Sequence, residues 1–395
     1  MAARSERIDA LRGLAVFGIM LVNVFSVVYG LGSYRFGTLE PSMPAADQWT
    51  VFLVASFAEQ KFYPIFSFLF GAGFALQTGG RAAPGLVLEQ VRTQYRRRMQ
   101  WLLACGLAHG ALVWFGDILT AYALVGFWLL GHTGRRLSDL LRTLKVLVVV
   151  NAAILLLLGA VQLGMGEVAL AEQLDYLLVE MRDHAIYTQG SWTQIAALRL
   201  TDYLASLAGL LIFFPRLMLL FLAGVVAVRL GWLMRPERHR TAWRAVLLIG
   251  LALGLPLNLW WGVVAVHEAV DPLFPLSSTA LASAQAEVAG PCLAAAYIAF
   301  AMLSPKSILA WLAPVGRMAL TNYLMQSVML TVMLQGFGLG LGAVLSRVQL
   351  LGLCGAIMLI ELIASSWWLK SHAQGPMEAL WRRYTAAGTS AQLQR

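Results

Sequence analysis

The sequence predicts an all-α fold: a polytopic transmembrane helical bundle of about ten spans with both termini cytoplasmic. Three observations predict it. The 395-residue chain is 59% hydrophobic and only 12% charged, whereas a soluble domain carries about 25% charged residues. Its mean hydropathy is +0.71. Its apolar residues gather into runs near the 20 or so residues that a spanning helix needs, and the loops between them alternate in charge.

The runs follow in order at 14–32, 60–78, 99–115, 117–131, 143–164, 204–229, 243–265, 282–303, 317–336 and 348–369. The first keeps the polar residue Asn23 and offers no convincing signal-peptide cleavage site, so it reads as a permanent helix. The stretch 49–57 reads as an interfacial helix or as an extension of the second run. The fourth run is short, and so tilted or tightly joined to the third. The loop 165–203 is the long extracytoplasmic one, where Leu170, Leu174, Leu177 and Leu178 predict a helix lying on the surface. The polar segment 386–395 reads as a disordered cytoplasmic tail. The whole of 1–395 forms one integral membrane domain.

Orientation comes from the basic residues. They precede the first run (Arg4, Arg7, Arg12) and follow every second one: Arg81 and Arg92 to Arg98, Arg135 to Lys145, Arg229 to Arg244, Lys306 and Arg317, Lys370 to Arg383. The intervening loops carry Glu40 and Asp47, Glu167 to Asp183, and Glu268 and Asp271. Positive loops stay on the cytoplasmic side. The net charge of +9 therefore reflects topology and anionic lipid headgroups; membrane lipids are expected partners and nucleic acid is not. Cys105, Cys292 and Cys354 lie in apolar segments and read as small buried hydrophobes. The six histidines are scattered, so no metal is expected.

Polar residues inside spans carry the functional argument, because they are costly in hydrocarbon without a partner or a task. His109 and Asp117 flank the turn between the third and fourth runs. They read as a general base with its orienting carboxylate, or as a helix cap. Glu59 and Lys61 open the second run, as a base and an oxyanion-stabilising cation or as a solvated Glu and a snorkelling Lys. Arg216, in mid-span, should face a polar cavity or a carboxylate such as Glu361 or Glu287, or else bind an anionic ligand. Arg317 and Thr321, and Asn322 and Gln326, are spaced four apart on one helix face; they line a cavity or a helix contact, and Asn23 reads the same way. Arg12, Arg96, Arg97, Arg98 and Arg317 gather at the cytoplasmic side, where they would hold phosphates or simply obey the charge rule. Gly71 and Gly73 predict close helix packing.

Five blocks resemble the YeiB-like bacterial membrane proteins: Ile8-Asp-Ala-Leu-Arg-Gly-Leu-Ala15, Lys61-Phe-Tyr-Pro-Ile-Phe-Ser-Phe-Leu-Phe-Gly-Ala-Gly73, His109-Gly with Gly116-Asp-Ile-Leu119 and Tyr122, Gly316-Arg-Met-Ala-Leu-Thr-Asn-Tyr-Leu-Met-Gln-Ser327, and Gly375-Pro-Met-Glu-Ala-Leu-Trp-Arg382. That family, a domain of unknown function, groups with the transmembrane acyltransferase superfamily. The resemblance implies a multi-pass protein of the bacterial cytoplasmic (inner) membrane. It would take an acyl group from a cytoplasmic acyl-CoA such as acetyl-CoA and pass it to an outer-face acceptor, a small molecule, lipid or glycan. His109, Asp117, Glu59 and Lys61 would be catalytic. Arg12, Arg216, Arg317, Asn23, Asn322 and Gln326 would hold the donor. The chain departs from characterised relatives. Polysaccharide O-acetyltransferases have a histidine eleven residues after the first-helix arginine, where Asn23 stands here. Lysosomal glucosamine N-acetyltransferases have a catalytic histidine before the second span, and this chain has none before His109. These departures support the alternative, a non-catalytic transporter or a lipid- or small-molecule-binding protein of the same fold. A homo-oligomer remains open.

Overall fold

The computed structural model describes residues 6–31, 40–78, 85–164, 170–271 and 276–392, with the backbone alone for 85–88, 162–164, 170–174, 176, 276–287 and 386–392. Among the described residues the chain is helical and has no strand. Helix α1 (Glu6–Tyr29) covers the first run. It stops at Gly30, whose φ of +83° favours glycine. The stretch 49–57 belongs to a separate helix, α2 (Ala45–Phe57), followed by α3 (Phe62–Gln77). The non-glycine residue Gln60 breaks the two apart with a φ of +66°. The third and fourth runs are α4 (Gly85–Leu112) and α5 (Leu119–Leu130).

Next come α6 (Leu137–Gly164) and α7 (Leu170–Gln189), the latter where a helix was expected in the long loop. Helix α8 (Trp192–Arg229) opens on a capping box: Ser191 Oγ accepts from the Gln194 N–H, and Gln194 Oε1 accepts from the Ser191 N–H. Helices α9 (Arg240–Val270) and α10 (Leu276–Leu303) each contain a proline, and the short α11 (Lys306–Leu309) and α12 (Ala313–Arg317) follow. The bundle closes with α13 (Ala319–Leu334), α14 (Arg347–Ser371) and α15 (Pro376–Gln392). The expected tail is thus helical in backbone as far as Gln392, with 393–395 outside the described residues. Arg4, Arg81 and Glu167 of the charge pattern also lie outside them, as do the side chains of Leu170, Leu174 and Glu287.

Among the described residues, five helical stretches are long and apolar enough to cross a membrane: Glu6–Tyr29, Leu137–Val161, Trp192–Arg229, Pro236–Val270 and Arg347–Ser371. Shorter apolar helices are Leu119–Leu130, Val288–Leu303 and Ala319–Leu334. Large apolar side chains stand exposed along the outer helices, among them Leu156, Leu211, Leu248 and Ile363. A surface of this kind is expected where lipid replaces water.

Hydrogen bonds define the two ends of the bundle. At one end Arg7 donates to the Ser304 carbonyl and to Glu237, Arg229 to the Arg135 carbonyl, and Arg317 to the Ala373 carbonyl. At the other, Arg347 pairs with Glu40, Gln335 donates to the Val27 carbonyl and Gly336 to the Tyr187 carbonyl. The basic loops fall at the first end and Glu40, Asp47 and α7 at the second.

Glycine brings the central helices together. A Cβ on Gly71 of α3 would lie 1.8 Å from the Phe221 carbonyl oxygen of α8, and one on Gly224 of α8 would lie 1.9 Å from that of Phe68. The two backbones therefore touch, as expected for Gly71. Gly73 instead faces Arg12, whose Nη2 stands 3.5 Å from where a Cβ would be. Gly13 and Gly316 do the same for α1 and α12, a Cβ on Gly316 falling 1.7 Å from the Asp9 carbonyl oxygen. The three cysteines are free.

Candidate functional site

Helices α1, α3, α4, α5, α12, α13 and α15 line a cavity of about 250 Å³. Four arginines line it: Arg12 from α1, Arg98 from α4, Arg317 from α12 and Arg382 from α15. Aromatic and aliphatic side chains continue inward, including Phe66, Phe70, Trp101, Tyr122 and Tyr323. Arg12 pairs with the buried Asp9 one helical turn back, at 3.0 Å. The Arg98 guanidinium stacks over the Trp381 ring, 4.0 Å from its centroid. The carboxylate in the lining, Glu378, accepts from the backbone N–H groups of Leu320 and Thr321 and from Thr321 Oγ1. It thereby caps α13 and complements the positive end of that helix. Two buried donors here, Arg317 Nε and Trp381 Nε1, have no hydrogen-bond partner among the described residues. The cavity thus offers more donors and positive charge than its own carboxylates use. This is the chemistry of an anion site with an apolar extension.

A second cavity of about 110 Å³ is lined by Val22, Asn23, Ala58, Gln60, Phe62, Tyr63 and Gly116. Ile19, Ile118 and Tyr323 line both cavities. Along α1 the order is Arg12, Val16, Ile19 and Asn23, so the cationic end and the Asn23 end stand about 16 Å apart at 1.5 Å per residue.

His109 and Asp117 meet as expected. His109 Nδ1–H donates to Asp117 Oδ1 at 3.0 Å, and both side chains are buried. Asp117 Oδ2 accepts from the Thr120 N–H and Oγ1–H, each at 2.8 Å, so Asp117 also caps α5. One carboxylate thus both holds the imidazole and caps the helix. In the neutral imidazole with Nδ1 donating, Nε2 holds the lone pair. It is buried and has no hydrogen-bond partner among the described residues. The imidazole packs against Tyr323, ring centroids 5.4 Å apart, and lines neither cavity.

Other expected site residues lie elsewhere. Asn322 and Gln326, read as lining either a cavity or a helix contact, turn into the seam between α13 and α14. There Asn322 Nδ2 donates to Ser365 Oγ and Gln326 Nε2 to Glu361 Oε2. The same four-residue spacing in α14 (Glu361, Ser365) supplies the partners. Arg216 donates to Tyr63 Oη at 3.4 Å, while Glu361 is engaged by Gln326. Glu59 accepts from Trp261 Nε1 at 2.6 Å, and the fully buried Lys61 donates to the Ala55 carbonyl at 2.7 Å. Neither of these lines either of the two cavities above; the intervening Gln60 lines the smaller. Arg12 and Arg317 line the larger cavity and Asn23 the smaller one. Trp381, Arg382 and Tyr323 were not singled out in the sequence, although each lies within a block that carries the family resemblance. Among the described residues no three His, Cys, Asp or Glu side chains cluster as metal ligands.

At the opposite end α7 forms a polar layer. Burial, reinforced by the nearby Glu268 and Asp183 carboxylates, pushes the Glu180 carboxyl up to about 7. Burial holds the His184 imidazole below its ordinary value, although Nδ1–H donates to the Val28 carbonyl.

Comparison with known proteins gives the family context. The family described as "Protein of unknown function (DUF418)" matches residues 227–388. The chain is 29% identical to the uncharacterized protein YeiB of Escherichia coli, covering 98% of this chain and 97% of that one. It is 29% identical to the uncharacterized protein YxaH of Bacillus subtilis, over 96% and 94%. It is 30% identical to an uncharacterized 39.9 kDa protein in the amylase 3' region of Bacillus acidopullulyticus, over 97% and 95%. No solved structure matches it.

Proposed function

Because this chain belongs to the DUF418 family of YeiB-like proteins, we propose that it is a membrane-embedded acyltransferase-like protein that moves an acyl group from a cytoplasmic acyl-CoA to an acceptor at the outer face. In this reading about ten helices span the bacterial inner membrane and the four-arginine end faces the cytoplasm. The single observation that carries it is the cavity that begins at Arg12, Arg98, Arg317 and Arg382 and ends against the wall of the Asn23 pocket. Coenzyme A is an anionic head on a long, weakly polar arm. Its phosphates match the arginines, and its arm matches the aromatic shaft. The acceptor, a sugar, lipid or small metabolite, approaches from the Asn23 side.

His109 supplies the base. Asp117 holds Nδ1–H, so Nε2 takes the proton as the acceptor oxygen or nitrogen attacks the thioester carbonyl carbon. The C–S bond breaks, and the imidazolium returns the proton to the departing thiolate. Tyr323 stands between His109 and the chamber, so the acceptor must reach Nε2 past the edge of its ring.

That same obstruction favours a second reading, in which the protein binds or moves an anionic amphiphile without chemistry. The two readings separate in one experiment on detergent-purified protein, with coenzyme A binding and acetyl-CoA turnover measured together. The enzyme reading expects both, with His109→Gln abolishing turnover while binding persists. Binding without turnover in the native protein favours the second reading, and the absence of both removes the donor altogether. Full turnover by His109→Gln removes His109 from the mechanism.

A further inference from the structure

Tyr323, Ile19 and Ile118 line the large cavity and the small one alike, and so form the wall between them. Each comes from a different helix region. Ile19 lies midway along α1, Ile118 is the residue before α5, and Tyr323 sits one turn into α13. Tyr323 is 4% exposed. Its hydroxyl accepts from the Ile118 N–H at 3.5 Å, and its ring leans on His109. The ring is thus held at its rim by the backbone amide of the residue before α5 and on one face by a buried imidazole. Beyond it the small cavity is walled mostly by Val22, Ala58, Phe62 and the Tyr63 ring, a space suited to a short hydrocarbon chain as well as to a small acceptor.

Resting on the acyl-CoA reading, we propose that Tyr323 sets the length of the acyl group, admitting short acyl thioesters and excluding long ones. The argument is one of distance. Arg12 and Ile19 are seven residues apart on one helix, about 10 Å at 1.5 Å per residue. The pantetheine arm is longer than this when extended, so a donor whose phosphates are held at the outer rim of the four arginines lays its arm along that shaft and brings its thioester to the wall. Any carbon beyond the first few then meets the Tyr323 ring. With the ring removed, the 110 Å³ behind it joins the shaft and receives further methylenes. Each methylene newly buried is worth about 0.8 kcal/mol, or about fourfold in affinity.

The test measures the binding of acetyl-, butyryl-, octanoyl- and lauroyl-CoA to the full-length protein in detergent by titration calorimetry. The native protein is expected to prefer acetyl and butyryl groups. Tyr323→Ala is expected to shift the optimum to octanoyl, raising its affinity by tenfold or more. Tyr323→Phe keeps the ring and is expected to keep the short-chain preference. Ile19→Ala opens the same wall from α1 and is expected to shift the profile in the same direction, so the test survives if Tyr323→Ala fails to fold. An unchanged chain-length profile in both opened variants, or a native protein that accepts octanoyl as well as acetyl, overturns the role of Tyr323 while leaving donor binding intact. If the native protein binds no acyl-CoA, the functional reading on which this rests falls instead.

Discussion

Thr321 Oγ1 donates to Glu378 Oε2 at 2.6 Å, and the Leu320 N–H donates to the other oxygen of the same carboxylate at 2.9 Å. A side chain of the last helix therefore caps a helix fifty-eight positions earlier (Leu320), and α15 is held against the cavity by α13. Glu378→Ala should cost about 1–3 kcal/mol in folding stability, because it removes both a cap and a charge-assisted hydrogen bond. Thr321→Ala should cost about 1 kcal/mol. The double variant should cost clearly less than the sum, since both mutations break one contact. Thermal melts of the three variants check this; strict additivity counts against the cap.

Helices α3 and α8 should tolerate no side chain at their crossing. Gly71→Ala and Gly224→Ala each place a methyl within 2 Å of a backbone oxygen, and overpacking of a backbone typically costs about 1–3 kcal/mol or more. Gly209→Ala, on the same α8 but with nothing within 4 Å, should be neutral or slightly stabilising, because alanine is the better helix former. Detergent-stability measurements on the three should rank them in that order.

The Arg98–Trp381 stack should matter to ligand binding more than to folding. Losing a cation–π contact of about 0.5–2 kcal/mol leaves the guanidinium less well placed. Trp381→Ala is therefore expected to weaken coenzyme A binding about two- to thirtyfold, and Trp381→Phe by less. Equal losses in both would show that the indole N–H, not the ring face, carries the effect.

Stability should fall as pH rises through the neutral range, in part through Glu180. Its carboxyl titrates near 7 when folded and near 4.3 when unfolded. The folded state thus binds more protons between those values. The contribution is fully present below the unfolded value and is lost as pH rises through the folded one. His184, held low by burial, acts in the opposite sense, gaining stability as pH rises to the ordinary histidine value. Glu180→Gln should therefore flatten the melting temperature against pH between about 5 and 7, and should be more stable than the native chain above that window. An unchanged slope removes Glu180 from the pH response.

Much of the architecture is legible in sequence, since the ten runs depend only on local hydrophobicity, and each is overlaid by a helix. The break between α2 and α3 is not, because Gln60 adopts its left-handed φ without the glycine or proline that marks such turns. The His109–Asp117 pair is legible, since a short turn joins their helices. Its seclusion behind Tyr323 depends on the register of α13 against α4, which no local pattern encodes. Arg216 needs a polar partner by energetics alone, but the neutral Tyr63 hydroxyl, 153 positions away, is no more conspicuous in the sequence than any carboxylate. Asn322 and Gln326 show their shared face by spacing. Which helix they face requires pairing that spacing with Glu361 and Ser365.

The contact of Arg7 with Ser304 and of Gly13 with Leu312 and Gly316 has a temporal consequence. Once made, α1 waits for partners synthesised nearly 300 residues later, roughly 15–60 s at ordinary synthesis rates. During that interval its charged foot is neutralised from within, because Asp9 and Arg12 lie one turn apart and close on each other. The pair can therefore serve the nascent chain before it serves the finished one, keeping an early helix presentable in lipid until α12 arrives to cover its glycine face.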